Sequence, residues 1–442
     1  MGLAAALVAG GWRGFGIVEI GVAYKAKAVC SGVFVSGMDP ADVLLDLHID
    51  DLAALEHVRV AVDRLRGSVT ASAVGLIRRK AVHDEGFGCT LVLDDRMPTR
   101  TVLPGSAERS SGPDLPRSAE PSPALQAVIE RAFSEPALRQ RRTRAVVVIQ
   151  DGQIVGEQYA AGVGPGTPLI GWSMTKSVMN ALAGILVGQG DLSLDAPVPI
   201  EEWRAPRDAR GSITLDHLLR MSSGLRFDEG MENPRADVAR MLFDAGDASA
   251  LAIRQPLVAE PGTLWHYSSG TSNIIARAIR NALGDDAAYL TLPRRALFDR
   301  IGMAGAILET DASGTFLGSS NLYATAGDWA RFGLLYLNDG MHGDERILPE
   351  GWVEYSVTPA PADSAGRYGA HFWLDVPAEY CATGDDLPDD AFHAAGHEAQ
   401  FVTIVPSRDL VIVRLGRTRY PEAWDHCAFV RDVLTVLDGP VG

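Results

Sequence analysis

Short apolar runs bounded by turn-forming residues predict two β-hairpins, one before and one after a long helical region. The four runs with strand character are residues 144–150, 153–159, 400–405 and 410–415. Asp151-Gly152 joins the first pair, and this dipeptide favours a tight hairpin turn. Residues 406–409 form the turn of the second pair. Two hairpins that frame a helical region predict an antiparallel sheet covered by helices.

Longer apolar segments between and beside the hairpins are typical of helices. The predicted helices are residues 124–133, 178–187, 271–282, 326–338 and 422–437. Residues 191–265 are helical in pattern, interrupted by prolines and rich in loops, so they predict a mostly α subdomain. The predicted fold class is α/β of the α+β kind, with an antiparallel sheet flanked by helices and this added α subdomain.

The first hundred residues predict a small extension of different character. Residues 28–103 form a small N-terminal subdomain, with strands predicted at 33–35, 75–82 and 88–93 and a helix start at 39–47. Residues 104–123 are rich in Pro, Gly and Ser and predict a linker, so the main domain spans 124–442. Residues 1–27 begin with an apolar segment that precedes Lys25 and Lys27, and we interpret them as a candidate signal anchor.

Composition limits the classes of function. The net charge of −16 argues against nucleic acid as a partner. The four cysteines are not spaced as a metal site, and the sequence predicts no cofactor. They form two disulfides in an oxidising compartment or stay as thiols in the cytoplasm. A bridge between Cys30 and Cys89 fits the predicted strand at 88–93, and Cys381 with Cys427 is the remaining pair.

The strongest chemical signal is Ser173-x-x-Lys176 at the head of the apolar helix 178–187. A serine at a helix start has an exposed Oγ and an unpaired backbone N–H that can bind an oxyanion. A lysine three residues later lies on the same helical face, one turn further on. If that lysine is buried, its ammonium form is disfavoured and the amine can act as a base near neutral pH.

A different serine-hydrolase motif, the α/β-hydrolase elbow Gly-x-Ser-x-Gly, is almost present at the same place. Here Thr175 stands where the second glycine is needed for close approach, and no β-branched strand precedes Gly171. The sequence therefore excludes the α/β-hydrolase fold.

Two further motifs follow in order along the chain. Tyr267-Ser-Ser269 comes second, and Gly396-His397-x-x-Gln400 comes third at the start of an apolar run. This order resembles the serine β-lactamase and penicillin-binding-protein superfamily, over roughly residues 123–437. The tyrosine motif and the Gly-His-x-x-Gln motif are most similar to its class C-like branch, in particular to 6-aminohexanoate-oligomer hydrolases and related carboxylesterases.

The resemblance implies a role for each motif residue. Ser173 would be the nucleophile, with Lys176 and Tyr267 as the proton relay. A nearby lysine ammonium would lower the pKa of Tyr267. The N–H groups of Ser173 and Gln400 would form the oxyanion hole. Further oxyanion or substrate contacts would come from His397, Trp172 and Ser269. His397 stands where β-lactamases place a lysine, so a fixed charge for a substrate carboxylate is missing.

The sequence thus predicts a serine hydrolase that cleaves esters or amides of small molecules through an acyl-enzyme. A β-lactamase or D-alanyl-D-alanine peptidase is the first alternative, and a non-catalytic penicillin-binding-like sensor or scaffold is the second. We expect a periplasmic location, free or through an N-terminal membrane anchor, with a cytoplasmic one as the alternative. The sequence leaves the natural substrate and the oligomeric state open.

Overall fold

The structure is a computed structural model that describes residues 12–48, 50–93, 114–120, 122–136, 138–230, 233–384 and 386–439. Its helices are α1 (Trp12–Phe34), α2 (Pro40–Asp46), α3 (Pro123–Ala132), α4 (Thr175–Gln189), α5 (Leu215–Leu219), α6 (Asp237–Phe243), α7 (Ala248–Ile253), α8 (Ser269–Leu283), α9 (Asp286–Leu292), α10 (Ala326–Leu337), α11 (Trp352–Val357) and α12 (His426–Leu437). Its strands are β1 (Arg59–Asp63), β2 (Ser68–Ala73), β3 (Ile77–Asp84), β4 (Gly88–Val92), β5 (Thr143–Gln150), β6 (Gln153–Tyr159), β7 (Leu169–Ile170), β8 (Ile307–Leu308), β9 (Leu322–Ala324), β10 (Met341–His342), β11 (Glu345–Arg346), β12 (Phe392–Gly396), β13 (Gln400–Val405) and β14 (Leu410–Gly416).

Both predicted hairpins belong to one five-stranded antiparallel sheet in the order β12-β13-β14-β5-β6. Helices cover both of its faces, so neighbouring residues of β5 face opposite cores: Val146 packs with α3 and α12, and Val147 packs with α10. The close approach of α10 needs Gly333, where a Cβ would lie 2.5 Å from the side chain of Val411. The predicted antiparallel sheet flanked by helices is therefore confirmed.

The mostly α subdomain is also present, as the short helices α5, α6 and α7, against which the longer helix α8 packs. The central helix α4 is buried over most of its length and ends at Gly190, whose φ of 83° is left-handed. Because α4 contacts both α8 and the nucleophile turn described below, it joins the subdomain to the catalytic residues.

The N-terminal extension differs from its prediction. Helix α1 crosses the boundary predicted at residue 27. The strand predicted at residues 33–35 is wrong, because residues 33 and 34 end this helix and residue 35 follows it. From Val18 to Val33 its apolar side chains pack on β2, β3 and β4, and they share one core with α4 and α10. This burial places the part of the candidate anchor from Val18 onward in the protein core. The extension is thus part of the main hydrophobic core.

The described part of the chain contains no helix with the length and apolarity needed to cross a bilayer. Residues 1–11, which include the apolar segment at the start of the candidate anchor, lie outside the described residues.

The predicted linker is only partly a linker. Residues 94–113 lie outside the described part of the chain, but residues 114–120 run beside β6. Ser118 N donates to Ile154 O at 2.9 Å, and Ile154 N donates to Pro116 O at 2.8 Å. These backbone bonds fix the second half of the segment to the main sheet.

Both predicted disulfides are confirmed. Cys30 of α1 is bonded to Cys89 of β4, and Cys381 is bonded to Cys427 of α12. The first bond holds the N-terminal sheet on its helix. The second fixes the loop before β12 to the C-terminal helix.

Candidate active site

The nucleophile turn is the single 3₁₀ turn Trp172–Met174, which leads directly into α4. Trp172 has a φ of 47°, a left-handed conformation that is uncommon for a bulky residue. A Cβ on Gly396 would lie 2.2 Å from the carbonyl oxygen of Gly171 and 3.2 Å from the backbone nitrogen of Ser173. Only glycine therefore lets the end of β12 approach the backbone of Ser173 this closely.

Lys176 holds the centre of the site. Its Nζ lies 2.8 Å from Ser173 Oγ, 3.0 Å from Ser269 Oγ and 3.0 Å from the carbonyl oxygen of Ser319. The predicted placement of Ser173 and Lys176 on one helical turn thus brings the amine within hydrogen-bond distance of the hydroxyl. Three oxygen partners fix the amine at the nucleophile.

The surroundings of Lys176 lower the pKa of its amine, so that more of it is unprotonated near neutral pH. Burial lowers the pKa of Lys176 to about 8, and the negative charge of Glu229 opposes this shift. In the unprotonated amine, the nitrogen lone pair can accept the hydroxyl proton of Ser173. Lys176 is therefore able to act as a base in the pH range where free lysine cannot.

Tyr267 lies beside the same amine, with Lys176 Nζ 4.9 Å from the centre of its ring. Its pKa is raised, first by burial and then by the negative charge of Glu229. The expected lowering of this pKa by Lys176 is wrong, because burial of the phenol and the charges of Glu229 and Glu379 outweigh the hydrogen bond with Ser173 that lowers it. Tyr267 is therefore a phenol at neutral pH, able to donate its proton.

These groups open onto a cleft of about 300 Å³. The residues that line it are Trp172, Ser173, Glu229, Val238, Leu242, Tyr267, Ser269, Ser320, Trp373, Pro377, Glu379, Tyr380, Ala395, Gly396 and His397. Trp373 stacks on Tyr267 with ring centres 5.6 Å apart. The structure thus brings six of the seven predicted site residues to one place, namely Ser173, Lys176, Tyr267, Ser269, Trp172 and His397.

His397 is held from behind the cleft. Arg419 Nη1 lies 3.3 Å from His397 Nε2, and a guanidinium can only donate, so Nε2 accepts. Arg419 and Arg417 also pair with the buried carboxylate of Glu398, at 3.2 Å and 3.3 Å. Although desolvation opposes it, the charge of Arg417 is the main cause that lowers the pKa of Glu398 to about 2. Glu398 is consequently a fixed anion behind the cleft wall.

That anion positions the residue before the nucleophile. Trp172 Nε1 donates to Glu398 Oε2 at 3.1 Å, and the Trp172 ring meets the His397 ring edge-on with centres 5.7 Å apart. The hydrogen bond to Glu398 fixes the Trp172 side chain, whose own backbone is left-handed.

Gln400 is the predicted residue that does not reach the cleft. Its side chain binds Gly416 N at 2.9 Å and Gly416 O at 2.6 Å, and the whole residue is 0% exposed. The turn before it is left-handed at Glu398 and Ala399, with φ values of 62° and 61°. A ligand in the cleft cannot contact so deeply buried a residue. The assignment of Gln400 to the substrate or oxyanion contacts is corrected. Gly396, at the end of β12, lies against the backbone of the nucleophile turn.

Two groups in the site were not predicted. Glu229 comes from a loop with no catalytic motif, and the carbonyl oxygen of Ser319 comes from the turn before β9. Every residue has a backbone carbonyl, so the sequence cannot indicate that the one of Ser319 contacts Lys176. Glu229 is 40 residues from Ser269 in the chain, and only the tertiary fold brings the two together.

Comparison with known proteins assigns the family. The Beta-lactamase family profile matches residues 129–433, which is more than half of the chain. The chain belongs to the Beta-lactamase family. Among curated relatives, 6-aminohexanoate-dimer hydrolase of Paenarthrobacter ureafaciens is 24% identical over 347 residues, covering 73% of this chain and 84% of the relative. The chain is thus a hydrolase of the serine β-lactamase fold, related to that enzyme.

Two further matches are an esterase, by sequence, and a penicillin binding protein, by fold. Esterase EstB of Burkholderia gladioli is 29% identical over 191 residues, covering 37% of this chain and 47% of the esterase. A penicillin binding protein of Bacillus halodurans superposes with a TM-score of 0.53 at 16% identity, covering 71% of this chain and 99% of that one.

Proposed function

We propose that this Beta-lactamase family member cleaves esters or linear amides of small molecules through an acyl-enzyme on Ser173. The observation that carries the proposal is the 2.8 Å separation of Lys176 Nζ from Ser173 Oγ at the floor of an open cleft. The relationship to 6-aminohexanoate-dimer hydrolase and to EstB supports amide and ester bonds as the two candidates.

Acylation follows from the placement of the protons. The Lys176 amine takes the hydroxyl proton of Ser173 while Oγ bonds to the substrate carbonyl carbon. The oxyanion forms near the backbone N–H of Ser173, beside the end of β12. When the carbon–leaving-group bond breaks, the Tyr267 phenol protonates the leaving group and regains a proton from the Lys176 ammonium.

Deacylation reverses the roles. Water attacks the acyl carbon, and its proton passes to Lys176 directly or through Tyr267. The acid product departs as Ser173 Oγ leaves the carbon and takes that proton back. The two half-reactions return every group of the relay to its starting state.

A covalent probe tests this proposal without knowledge of the substrate. We expect a fluorophosphonate to add one phosphonyl group to the protein, measured by intact mass, and peptide mapping to place it on Ser173. An unmodified mass after long incubation would contradict the proposal and favour the non-catalytic sensor.

The cleft also favours substrates without a carboxylate. Glu229 and Glu379 line it, no described lining residue is lysine or arginine, and His397 takes the place of a lysine. A penicillin carboxylate would therefore meet like charge from Glu229 and Glu379, without a lysine or arginine on the described lining to bind it. Esters also have a better leaving group than an unstrained amide.

We accordingly expect kcat/KM for short-chain aryl esters to exceed that for nitrocefin by at least about tenfold, or ~1.4 kcal/mol in barrier. Parallel assays at pH 7 with p-nitrophenyl esters, nitrocefin, 6-aminohexanoate dimer and D-Ala-D-Ala peptides measure this order. The amides should lie below the esters. If nitrocefin is the best substrate, the β-lactamase alternative replaces the ester proposal.

We also propose that the protein works in an oxidising compartment such as the periplasm. The two disulfides support this location, since such bonds persist where thiols are not kept reduced. We expect non-reducing peptide mapping of protein from native cells to recover both pairs. Four free cysteines in that material would contradict the proposal and favour the cytoplasm.

A further inference from the structure

Among the described residues that line the cleft, Glu229 is the carboxylate with hydrogen bonds to the second motif. Its Oε1 accepts from the backbone N–H of Ser269, and its Oε2 accepts from Ser269 Oγ at 3.2 Å. Ser269 Oγ lies in turn 3.0 Å from Lys176 Nζ. Glu229 is therefore one residue removed from the amine that touches the nucleophile.

The contacts of Ser269 leave few alternatives for this hydroxyl. Ser269 is the first residue of α8, where the Ser268 side chain caps the helix, so its backbone is fixed. Its hydroxyl donates its single proton to Glu229 and accepts from the Lys176 amine. The carboxylate thus orients the Ser269 oxygen toward Lys176.

We propose that Glu229 is a positioning residue of the proton relay, which holds Ser269 against Lys176 and stabilises the ammonium that forms there during acylation. This inference rests on the proposed serine-hydrolase function and adds to it a source of negative charge. The role is comparable to that of the carboxylate in a Ser-His-Asp triad, which orients the base and stabilises its protonated form.

The charges around the relay are consistent with this role. The titratable groups in and around the relay are Lys176 of α4, His266 and Tyr267 before α8, Glu379 of the loop before β12, and His371. His371 Nδ1 lies 2.9 Å from the Lys176 carbonyl oxygen. Burial raises the pKa of Glu229, and the charge of Lys176 opposes that rise. Conversely, Glu229 is the charge that raises the pKa of Lys176 against burial. The charge of Glu379 raises the pKa of Tyr267, but Glu379 forms no described hydrogen bond with Ser269.

Removing the charge of Glu229 should therefore make Lys176 a weaker base that loses its proton at lower pH. In the wild type we expect the rate of fluorophosphonate labelling to rise with pH through about 8, as Lys176 loses its proton. In Glu229→Gln, which keeps the size of the side chain, the midpoint should fall by about 1 pH unit. The plateau rate should fall on the order of tenfold, since a weaker base transfers the proton more slowly.

Glu379→Gln is the matched control, because it removes a cleft carboxylate that has no bond to Ser269. Its labelling midpoint should move less than that of Glu229→Gln, because Glu379 acts on Tyr267 and Glu229 acts on Lys176 itself. Glu229→Asp keeps the charge but shortens its reach, so the midpoint should stay within a few tenths of a unit of wild type while the plateau falls. Thermal melting of each variant verifies that it is folded, and Glu229→Asp carries the test if Glu229→Gln does not fold.

The outcomes separate the two proposals. A wild-type protein that is not labelled at Ser173 overturns the proposed function itself. Labelling of the wild type with an unmoved midpoint in Glu229→Gln overturns only the role of Glu229. Equal shifts in Glu229→Gln and Glu379→Gln also overturn it, because they would mean a diffuse effect of cleft charge. A plateau in Glu229→Asp equal to that of the wild type would overturn the positioning part.

Discussion

Replacing Ser173 with alanine is expected to abolish the covalent adduct and to lower ester turnover by on the order of a thousandfold or more. The change removes one Oγ at the cleft surface, which contacts the Lys176 amine and the Tyr267 side chain. Because that amine keeps Ser269 and Ser319 as partners, the fold should be unaffected. Intact mass after fluorophosphonate treatment, p-nitrophenyl ester assays and thermal melting measure the three effects.

Ser269→Ala is the control for this experiment, since it removes a neighbouring hydroxyl and keeps the nucleophile. This variant should still be labelled on Ser173, but more slowly, because Lys176 loses one of its oxygen partners. Ester hydrolysis by Ser173→Ala at the wild-type rate, or an adduct on Ser269 in the wild type, would refute the assignment of the nucleophile.

Replacing Glu309 with alanine is expected to cause the largest loss of stability, about 3–5 kcal/mol in the free energy of unfolding. Glu309 is 0% exposed and forms a salt bridge with Lys27 of α1, which is 4% exposed. Its carboxylate also accepts from Cys89 N at 2.7 Å, Ser31 Oγ at 2.8 Å and Asn321 Nδ2 at 3.2 Å. The variant would leave a buried lysine without its counter-charge.

Urea denaturation at pH 7 measures this loss. Glu345→Ala is the matched control, since Glu345 pairs with Arg300 at 2.7 Å but is 57% exposed, and such pairs contribute about 0–1 kcal/mol. The double variant Lys27→Met with Glu309→Gln should recover part of the loss, because it leaves no unpaired buried charge and the amide oxygen can still accept from Cys89 N. A Glu309→Ala loss no larger than that of Glu345→Ala would contradict the prediction.

The hydrogen bonds around Glu309 also link the N-terminal extension to the catalytic site. Glu309 N donates to Asn321 O at 3.0 Å, and Asn321 follows the Ser319-Ser320 turn that provides a carbonyl oxygen to Lys176. Disulfide Cys30–Cys89 joins the two elements of the extension that contact Glu309. The N-terminal extension therefore supports the turn at residues 319–320 that contacts Lys176.

The sequence by itself determined the elements whose pattern is local. Residues 144–150 and 410–415 are apolar runs, and both became central strands because a sheet covered on both faces buries every side chain of such a run. Ser173 and Lys176 were predictable as a pair, because three residues make about one helical turn wherever the helix lies. The three motifs in order were sufficient to indicate the family.

Only the tertiary structure decided the features that depend on distant partners. An apolar segment such as residues 18–33 fits a strand or a buried helix, and its packing on β2–β4 selected the helix. Gln400 was buried by the left-handed turn at residues 398–399, which no residue type there required. The pKa of Tyr267 is raised because tertiary packing buries the side chain and because loops bring Glu229 and Glu379 near it. Long-range burial and charge fix these properties, and neither is encoded in the spacing of residues along a chain.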